Sequence, residues 1–204
     1  MINDVSETSL WVAYYRAMET ERPDALFKDP FAAKLAGEKG KRIASEMSGI
    51  GKYTAWAVVS RTVMIDGFIR ELIAEGVNTV VNLGAGLDTR PYRMELPPDL
   101  HWIEVDYPNI IAHKTEVLKN DEPVCRLTRV AMDLADDGNP DDWFGFFEAH
   151  GWVKKSILYS LDIARASGRA PPMPWWAKFL IRLAPKSVRE ESQKMNGFVV
   201  LRKK

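Results

Sequence analysis

An apolar run that ends in a glycine-rich turn constrains the fold of this chain more than any other feature. The run covers residues 79–83 and leads directly into Gly84-Ala85-Gly86. A second apolar run ends at Asp106, 20 residues after Gly86. In an open α/β sheet, glycines after the first strand let a ligand approach the backbone, and an acid after the second strand accepts hydrogen bonds from ribose hydroxyls. The spacing therefore predicts a crevice for a nucleotide-like ligand.

Composition narrows the class of protein. The chain has 204 residues, 46% of them apolar, which suits one compact domain with a real core. Its 28 basic and 28 acidic residues balance, so nucleic acid is not an expected partner. Cys125 is the single cysteine, which excludes an internal disulfide and a cysteine-based zinc site, and we expect no metal. The lack of a basic leader or a long apolar run predicts a cytoplasmic protein with no membrane anchor.

Hydrophobic periodicity predicts three helices before the sheet. The first begins at Ser6 or Thr8 and ends near Pro23, the second restarts at Asp29-Pro30, and the third runs from about Tyr53 to Ala74, where Gly76 closes it. These helices form a predicted cap over residues 1–76.

Strands alternate with helices from residue 77 onward. The predicted strands are 79–83, 102–105, 124–132, 151–161 and 195–202, and the predicted helices are 108–118, 143–150 and 175–183. The first strand is apolar throughout, which is typical of a strand buried on both faces. The βα units favour a parallel sheet, so the fold class is α/β, within a single domain over residues 1–204.

Three interpretations of the crevice stay open on the residues alone. Two residues disfavour a nicotinamide dinucleotide. Asp88 would put a carboxylate beside the negatively charged phosphates, and Thr89 stands near the place where the dinucleotide motif has its third glycine. S-adenosylmethionine carries no phosphate, and Asp88 or a neighbouring carbonyl could meet its ammonium group. The glycines could also serve only a tight strand-to-helix turn. The acid at Asp106 favours ligand binding over that last explanation.

Several segments resemble one known family. Residues 83–90, Leu-Gly-Ala-Gly-Leu-Asp-Thr-Arg, followed by Arg93, closely resemble the first motif of the leucine carboxyl methyltransferase-like family, including its bacterial branch of S-adenosylmethionine-dependent methyltransferases. Further segments that resemble the family follow in chain order: 10–13, 16–24, 29–32, Arg61-Thr62 with Asp66, 104–108, 132–134, and Gly151-Trp152 with 163–164 and 168–169. The resemblance implies a Rossmann-like S-adenosylmethionine-dependent methyltransferase fold with a helical N-terminal cap.

The resemblance also implies where the cofactor binds. Arg61 would pair with the methionine carboxylate, Gly84 would lie against the cofactor, and Asp106 would hold the ribose. The full set of predicted cofactor-binding residues is Arg61, Gly84, Gly86, Asp88, Asp106, Asp133 and Leu134. Asp133 and Leu134 would flank the adenine.

Two of the predicted cofactor residues, and two arginines near the turn, also have possible structural roles. Arg61 could be a solvated helix charge, and Asp133 could cap a strand end. Arg90 and Arg93 either bind an acceptor carboxylate or brace the loop.

The chain departs from the family pattern after the third strand. In the family that strand is followed by a helix, a fourth strand ending in a Thr-Glu-Gly-like motif, another helix and a fifth strand. Here Asp133-Leu134 passes almost directly to Gly151-Trp152. Roughly two βα units are missing, at about 30 residues for a βαβ unit. The fourth strand normally lies beside the first, so its loss predicts an open edge that the closing strands or a second copy would cover. A homodimer is therefore expected.

The leading functional hypothesis is O-methyl transfer from S-adenosylmethionine to a carboxyl or hydroxyl group of a small molecule or peptide. An ionised carboxylate needs no general base for this displacement. The three histidines, His101, His113 and His150, are expected to be structural or exposed, so no catalytic residue is identified. Residues 171–176 could form a lid over the acceptor or a dimer contact. The rival is a non-catalytic S-adenosylmethionine-binding protein without an acceptor site, and a dinucleotide oxidoreductase ranks third.

Overall fold

The protein is described by a computed structural model. The structure describes residues 5–46, 51–133, 148–149, 151–159, 162, 166–168, 172 and 197–203. The chain divides into two compact units, residues 1–137 and residues 138–204. The single domain over residues 1–204 stays a prediction. In the parts that the structure describes, no helix is both long and apolar enough to cross a membrane.

Three helices precede the sheet, as the periodicity predicts. They are α1 (Val5–Thr20), α2 (Ala32–Glu46) and α3 (Gly51–Ala74). Helices α1 and α2 pack so closely that a Cβ atom added at Gly40 would lie only 2.6 Å from the carbonyl oxygen of Leu10. Glycine at this position allows the two backbones to approach.

The C-terminus of α3 is closed by Gly76, as predicted. Gly76 has a φ of 94°, its N–H donates to the Ile73 carbonyl oxygen at 3.0 Å, and the Val77 N–H donates to that of Leu72 at 3.0 Å. This is the Schellman arrangement, which a residue with a side chain rarely adopts. The chain leaves α3 in the direction of the first strand.

The first unit contains a parallel three-stranded sheet in the order β1-β2-β3, which confirms the predicted fold class. The strands are β1 (Thr79–Leu83), β2 (His101–Asp106) and β3 (Arg126–Ala131), with the four-residue helix α4 (Arg90–Arg93) and helix α5 (Pro108–Val117) between them. Parallel pairing aligns the carboxyl ends of β1 and β2, where Leu83 lies opposite Val105. The glycine turn and Asp106 therefore meet at one edge of the sheet.

Strand β1 is less buried than its sequence predicts. Val81 is 56% exposed and Leu83 is 63% exposed, whereas Trp102 in β2 is 1% exposed. The expectation of a strand buried on both faces is wrong. The physical reason is that β1 is an edge strand whose only strand neighbour among the described residues is β2. Among the described residues, the edge of β1 opposite β2 is open.

Three apolar clusters of described residues hold the first unit together, and two of them include the glycine turn or the sheet. One joins α1, α2 and α5 around Ala13, Leu35 and Ile110, and it includes Leu87 from the glycine turn. The other packs Ile69 of α3 and a set of buried residues around Trp102 of β2. The turn is thus anchored to the core through Leu87 while its glycines stay outside it.

The second unit contains a separate two-stranded antiparallel sheet. It pairs β4 (Trp152–Tyr159) with β5 (Gly197–Lys203), and the register shifts between Lys154 and Ser156. The predicted closing strands therefore form a sheet of their own. The predicted helix at 175–183, most of the one at 143–150, and residues 171–176 except Pro172 lie outside the described residues.

Candidate cofactor site

A cavity of about 420 Å³ lies at the carboxyl end of β1 and β2. Its lining residues come from four places: positions 8–16 of α1, positions 61–65 of α3, the stretch 82–93 around the glycine turn, and positions 106–110 after β2. Five predicted cofactor residues are among them, namely Arg61, Gly84, Gly86, Asp88 and Asp106. The fold thus brings together these five predicted residues, which are up to 45 positions apart in the chain.

The glycine turn exposes backbone to this cavity. Gly84 has a φ of 64° and Gly86 a φ of 51°, values that favour glycine. The N–H groups of Gly84 and Ala85 both donate to the carbonyl oxygen of Val105, at 2.9 and 3.1 Å. No atom lies within 4 Å of where a Cβ of Gly84 would stand. The turn is held firmly from the β2 side and leaves its other side open for a ligand.

Asp106 braces the same turn with a buried carboxylate. Its Oδ2 accepts the N–H of Gly86 at 2.5 Å, and its Oδ1 accepts the N–H of Tyr107 at 2.7 Å. The residue is 7% exposed. An ionised carboxylate offers about four lone-pair positions, so two hydrogen bonds leave capacity for ribose hydroxyls. The position at the end of β2 agrees with the predicted ribose role, which stays a prediction.

Asp88 is held inside the turn by three hydrogen bonds. Its carboxylate accepts from Asn82 Nδ2 at 3.0 Å, from the Arg90 N–H at 2.9 Å and from Arg90 Nη1 at 2.5 Å. Burial alone would raise the pKa of the Asp88 carboxyl, but the positive charges of Arg90 and Lys114 outweigh burial and hold that pKa well below its usual range. The carboxylate is therefore ionised and engaged by protein groups, and its contact with a cofactor ammonium stays a prediction.

Arg90 and Arg93 brace the turn against α3. Arg93 binds the Asp66 carboxylate with both terminal nitrogens, at 2.7 and 2.8 Å, and Arg90 Nε reaches the same carboxylate at 2.7 Å. The Asp66 side chain is 2% exposed. Of the two roles left open by the sequence, the geometry favours bracing, because both guanidinium groups are already bound to buried carboxylates.

A second buried carboxylate ties α1 to the turn. Asp29 Oδ2 accepts from Arg16 Nε at 2.8 Å and from Thr89 Oγ1 at 2.7 Å, while Arg16 Nη2 donates to the Leu87 carbonyl oxygen at 2.5 Å. Sequence reasoning assigned no role to Arg16 or Asp29, although both lie in segments that resemble the family. Their presence in those segments was the available signal.

Arg61 differs from the other three arginines that line the cavity. Among the described residues it makes no ion pair and no hydrogen bond from its side chain, whereas Arg16, Arg90 and Arg93 are all paired. Arg61 lines the cavity and keeps part of its surface open to solvent. Partial desolvation by the surrounding protein lowers the pKa of its guanidinium, and the positive charges of Arg90 and Arg16 lower it further against the negative charge of Asp88. An unpaired cation beside two others favours an anionic ligand group.

Among the described residues, neither the remaining predicted cofactor residues nor the histidines line the cavity. Asp133 follows β3, is partly buried and does not line the cavity, and Leu134 lies outside the described residues. His101 contacts Thr128 and Arg126 through its ring nitrogens, and His113 contacts the carbonyl oxygen of Leu35. Neither lines the cavity, and His150 is outside the described residues.

No metal site accompanies this cavity in the part of the chain that the structure describes. Those residues include no group of three His, Cys, Asp or Glu side chains that could hold an ion. The charged groups at the cavity are arginines and carboxylates, and they lie beside open backbone and apolar side chains such as Val12, Ile65 and Ile110.

Comparison with known proteins identifies related sequences. The family model of leucine carboxyl methyltransferase matches residues 9–156. A Rhodococcus jostii protein named "Putative S-adenosyl-L-methionine-dependent methyltransferase" is 36% identical over 160 residues, covering 74% of this chain and 52% of the relative. A Streptomyces coelicolor protein of the same description is 37% identical over 171 residues, covering 76% and 59%.

A third relative aligns with more of the chain. A Mycobacterium protein of the same description is 31% identical over 201 residues, which are 91% of this chain and 60% of the relative. The chain thus spans between about half and three-fifths of the length of the curated relatives that it matches.

Proposed function

From the premise that this chain belongs to the leucine carboxyl methyltransferase family, we propose that it binds S-adenosylmethionine and transfers the methyl group to an oxygen acceptor. The acceptor is a carboxyl or hydroxyl group of a small molecule or peptide. The relatives' names support the cofactor, and the family description supports the carboxyl class. The homodimer and the cytoplasmic location stay predictions from the sequence.

One observation carries the proposal, which is the meeting of three cofactor-recognition features in one cavity. Open glycine backbone, the Asp106 carboxylate at the end of β2, and Arg61, which has no ion-pair partner among the described residues, all line the same 420 Å³ space. Each suits one part of S-adenosylmethionine: the sulfonium chain passes bare backbone, the ribose meets a carboxylate, and the amino-acid carboxylate meets a guanidinium. A diphosphate would instead face the ionised Asp88.

The residues of the chain hold and orient rather than exchange protons. The cofactor, when bound, supplies an activated methyl group that is displaced in line. Arg61 would neutralise the methionine carboxylate, and Asp106 would fix the ribose while keeping the Gly86 N–H bonded. With no histidine on the cavity among the described residues, an ionised carboxylate is the acceptor that this site can use without a base.

The first test measures cofactor binding by calorimetry with S-adenosylhomocysteine, the demethylated cofactor. Arg61→Gln should weaken binding about tenfold to a hundredfold, because a hydrogen bond to a charged group contributes roughly 1.5–3 kcal/mol. The melting temperature should change little, since Arg61 makes no ion pair among the described residues. Arg70→Gln on the same helix is the matched control, because Arg70 is exposed and does not line the cavity.

Two results would contradict the proposed cofactor. An equal loss of affinity in both variants would remove Arg61 from the binding site. Competition by NADH, in the absence of any binding of S-adenosylmethionine or its demethylated form, would favour a dinucleotide site instead.

The second test concerns turnover. Incubation with S-adenosylmethionine and a set of small carboxylates, alcohols and peptides should release S-adenosylhomocysteine with at least one acceptor. The relevant control is the Arg61→Gln chain, whose release should fall in parallel with its affinity. Intact cofactor binding without release for any acceptor would favour the non-catalytic binding protein.

A further inference from the structure

Helix α1 forms one wall of the cavity and is tied to the glycine turn by polar groups. Thr8, Ser9, Val12 and Arg16 of α1 line the cavity, and Ser9 Cβ would lie 3.6 Å from a Cβ at Gly86. The width of the cavity at the turn therefore depends on how closely α1 is held to it.

A cluster that we name the Asp29 anchor holds α1 at this distance. It consists of Arg16 on α1, Asp29 after α1, and Thr89 after the turn. The Asp29 carboxylate is fully buried, and one oxygen accepts from Arg16 Nε at 2.8 Å and Thr89 Oγ1 at 2.7 Å. Arg93 Nε lies 3.8 Å from the same oxygen. A single buried oxygen thus joins three separate segments.

Arg16 also reaches beyond Asp29 to the backbone of the turn. Its Nη2 donates to the Leu87 carbonyl oxygen at 2.5 Å. That carbonyl belongs to the same planar peptide unit as the Asp88 N–H, which donates to the Ala85 carbonyl oxygen at 3.1 Å. Fixing one end of a planar unit fixes the other, so Arg16 sets the orientation of the peptide that closes the turn.

We propose that Arg16 and Asp29 are positioning residues for the cofactor cavity, acting through the Leu87 carbonyl and Thr89 on the backbone that the cofactor lies against. This inference rests on the proposed function for its cofactor, but its geometry is independent of it. Arg16 suits the task because a guanidinium presents donors in a rigid fork and can bind two acceptors in different directions. A lysine at this position keeps the charge but carries all its donors on one nitrogen.

The experiment compares Arg16→Lys with Arg22→Lys, a matched substitution of an exposed arginine that pairs with Asp24. Hydrogen exchange is measured on the full chain without cofactor. Arg16→Lys should speed exchange of the Gly86 and Asp88 amides at least tenfold and leave the amides of β3 unchanged, while Arg22→Lys should stay within twofold of wild type throughout. Unchanged exchange at the turn in Arg16→Lys would overturn the proposal.

Binding of S-adenosylhomocysteine gives the functional measurement. Arg16→Lys should raise its Kd at least tenfold and Arg22→Lys should not. A Kd equal in the two variants would overturn the positioning role. If the wild-type chain binds none, the proposed function fails, and the exchange result on the cofactor-free chain still decides whether the anchor positions the turn.

A second pair of variants covers the case in which Arg16→Lys does not fold. Thr89→Val removes the hydroxyl that donates to Asp29 with little change of shape, and Thr89→Ser retains it. Thr89→Val should reproduce the faster exchange of the Gly86 and Asp88 amides, and Thr89→Ser should restore the wild-type rate. A merely steric role for Thr89 would make serine the more disruptive of the two, and that order would contradict the proposal.

Discussion

The two sides of strand β1 differ sharply. Toward β2 and the turn, every strand residue has a partner in register and the turn is braced by the buried carboxylates of Asp29, Asp66 and Asp106. Toward the other edge, no described strand pairs with β1, and Val81 and Leu83 are more than half exposed. We call the side of β1 toward β2 and the turn the complete side, and the edge of β1 that no described strand pairs with the open edge.

An apolar groove accompanies this open edge. It has a volume of about 340 Å³ and lies between α3 and β1, where Phe68, Leu72 and Val81 are among its lining residues. Edge strands in natural proteins are usually protected by charges or proline, and β1 contains neither. The difference teaches that the polar contacts bracing the glycine turn come from α1, α3 and β2, and none of those described comes from a strand beyond β1.

On the complete side, the largest loss of stability is expected when the carboxylate of Asp66 is removed. Asp66→Ala leaves the guanidinium groups of Arg90 and Arg93 without the carboxylate they share, so we expect a loss of about 3–5 kcal/mol in the free energy of unfolding. Urea denaturation followed by circular dichroism measures the loss. Asp24→Ala is the control, because the Asp24 side chain is 65% exposed and solvent screens its pair with Arg22, so its removal should change stability little. Similar losses in the two variants would contradict the contrast.

The next largest effect is expected from acid, which should lower the free energy of unfolding through Asp88 on the complete side. The pKa of Asp88 is lowered in the folded state, so the unfolded chain binds its proton first. This contribution to stability is fully present above the ordinary aspartate pKa of about 3.9, and it declines progressively as the pH falls from there toward the lower pKa of the folded state. Unfolding free energies at pH 6 and pH 3 should differ less in Asp88→Asn than in wild type, by about 1 kcal/mol, because the unfolded aspartate takes up its proton only over the last unit of this pH range. Asp99→Asn, at an exposed position, should keep the wild-type difference. A wild-type difference in Asp88→Asn would refute the assignment.

The smallest effect is expected at the open edge. Val81→Thr should change the free energy of unfolding by less than about 0.5 kcal/mol, because the side chain is 56% exposed. Val105→Thr, in the neighbouring strand at 8% exposed, should cost about 1–3 kcal/mol through a buried hydroxyl. Thermal or urea unfolding of both variants gives the comparison. An equal cost at Val81 would show that the edge is covered in solution, and sedimentation would then tell a second copy from the chain's own closing strands.

Local sequence signals predicted much of the fold. The bounds of β1 agree residue for residue, Gly76 closes α3, and β2, β3 and α5 lie within two residues of their expected ends. The prediction that β1 is buried on both faces was wrong, because an apolar run shows only that a strand is suited to burial. Whether a neighbour exists to bury it depends on the order of strands in the sheet.

The cavity was predictable in part for a related reason. The glycines and Asp106 follow two strand ends, and parallel strands bring such ends together. The contact of Arg16 with Leu87 links residues 71 positions apart and that of Thr89 with Asp29 links residues 60 apart, and no periodic pattern announces such contacts.

The sequence by itself determined the strands, the left-handed glycine positions and the charges available around the turn, because these follow from local backbone preferences and side-chain chemistry. Only the tertiary structure decided which charges meet. It pairs Arg90 and Arg93 with Asp66, pairs Arg16 with Asp29, and leaves Arg61 without a direct ion pair among the described residues. Ion pairing depends on distance in space, and the packing of α1 and α3 against the sheet sets that distance.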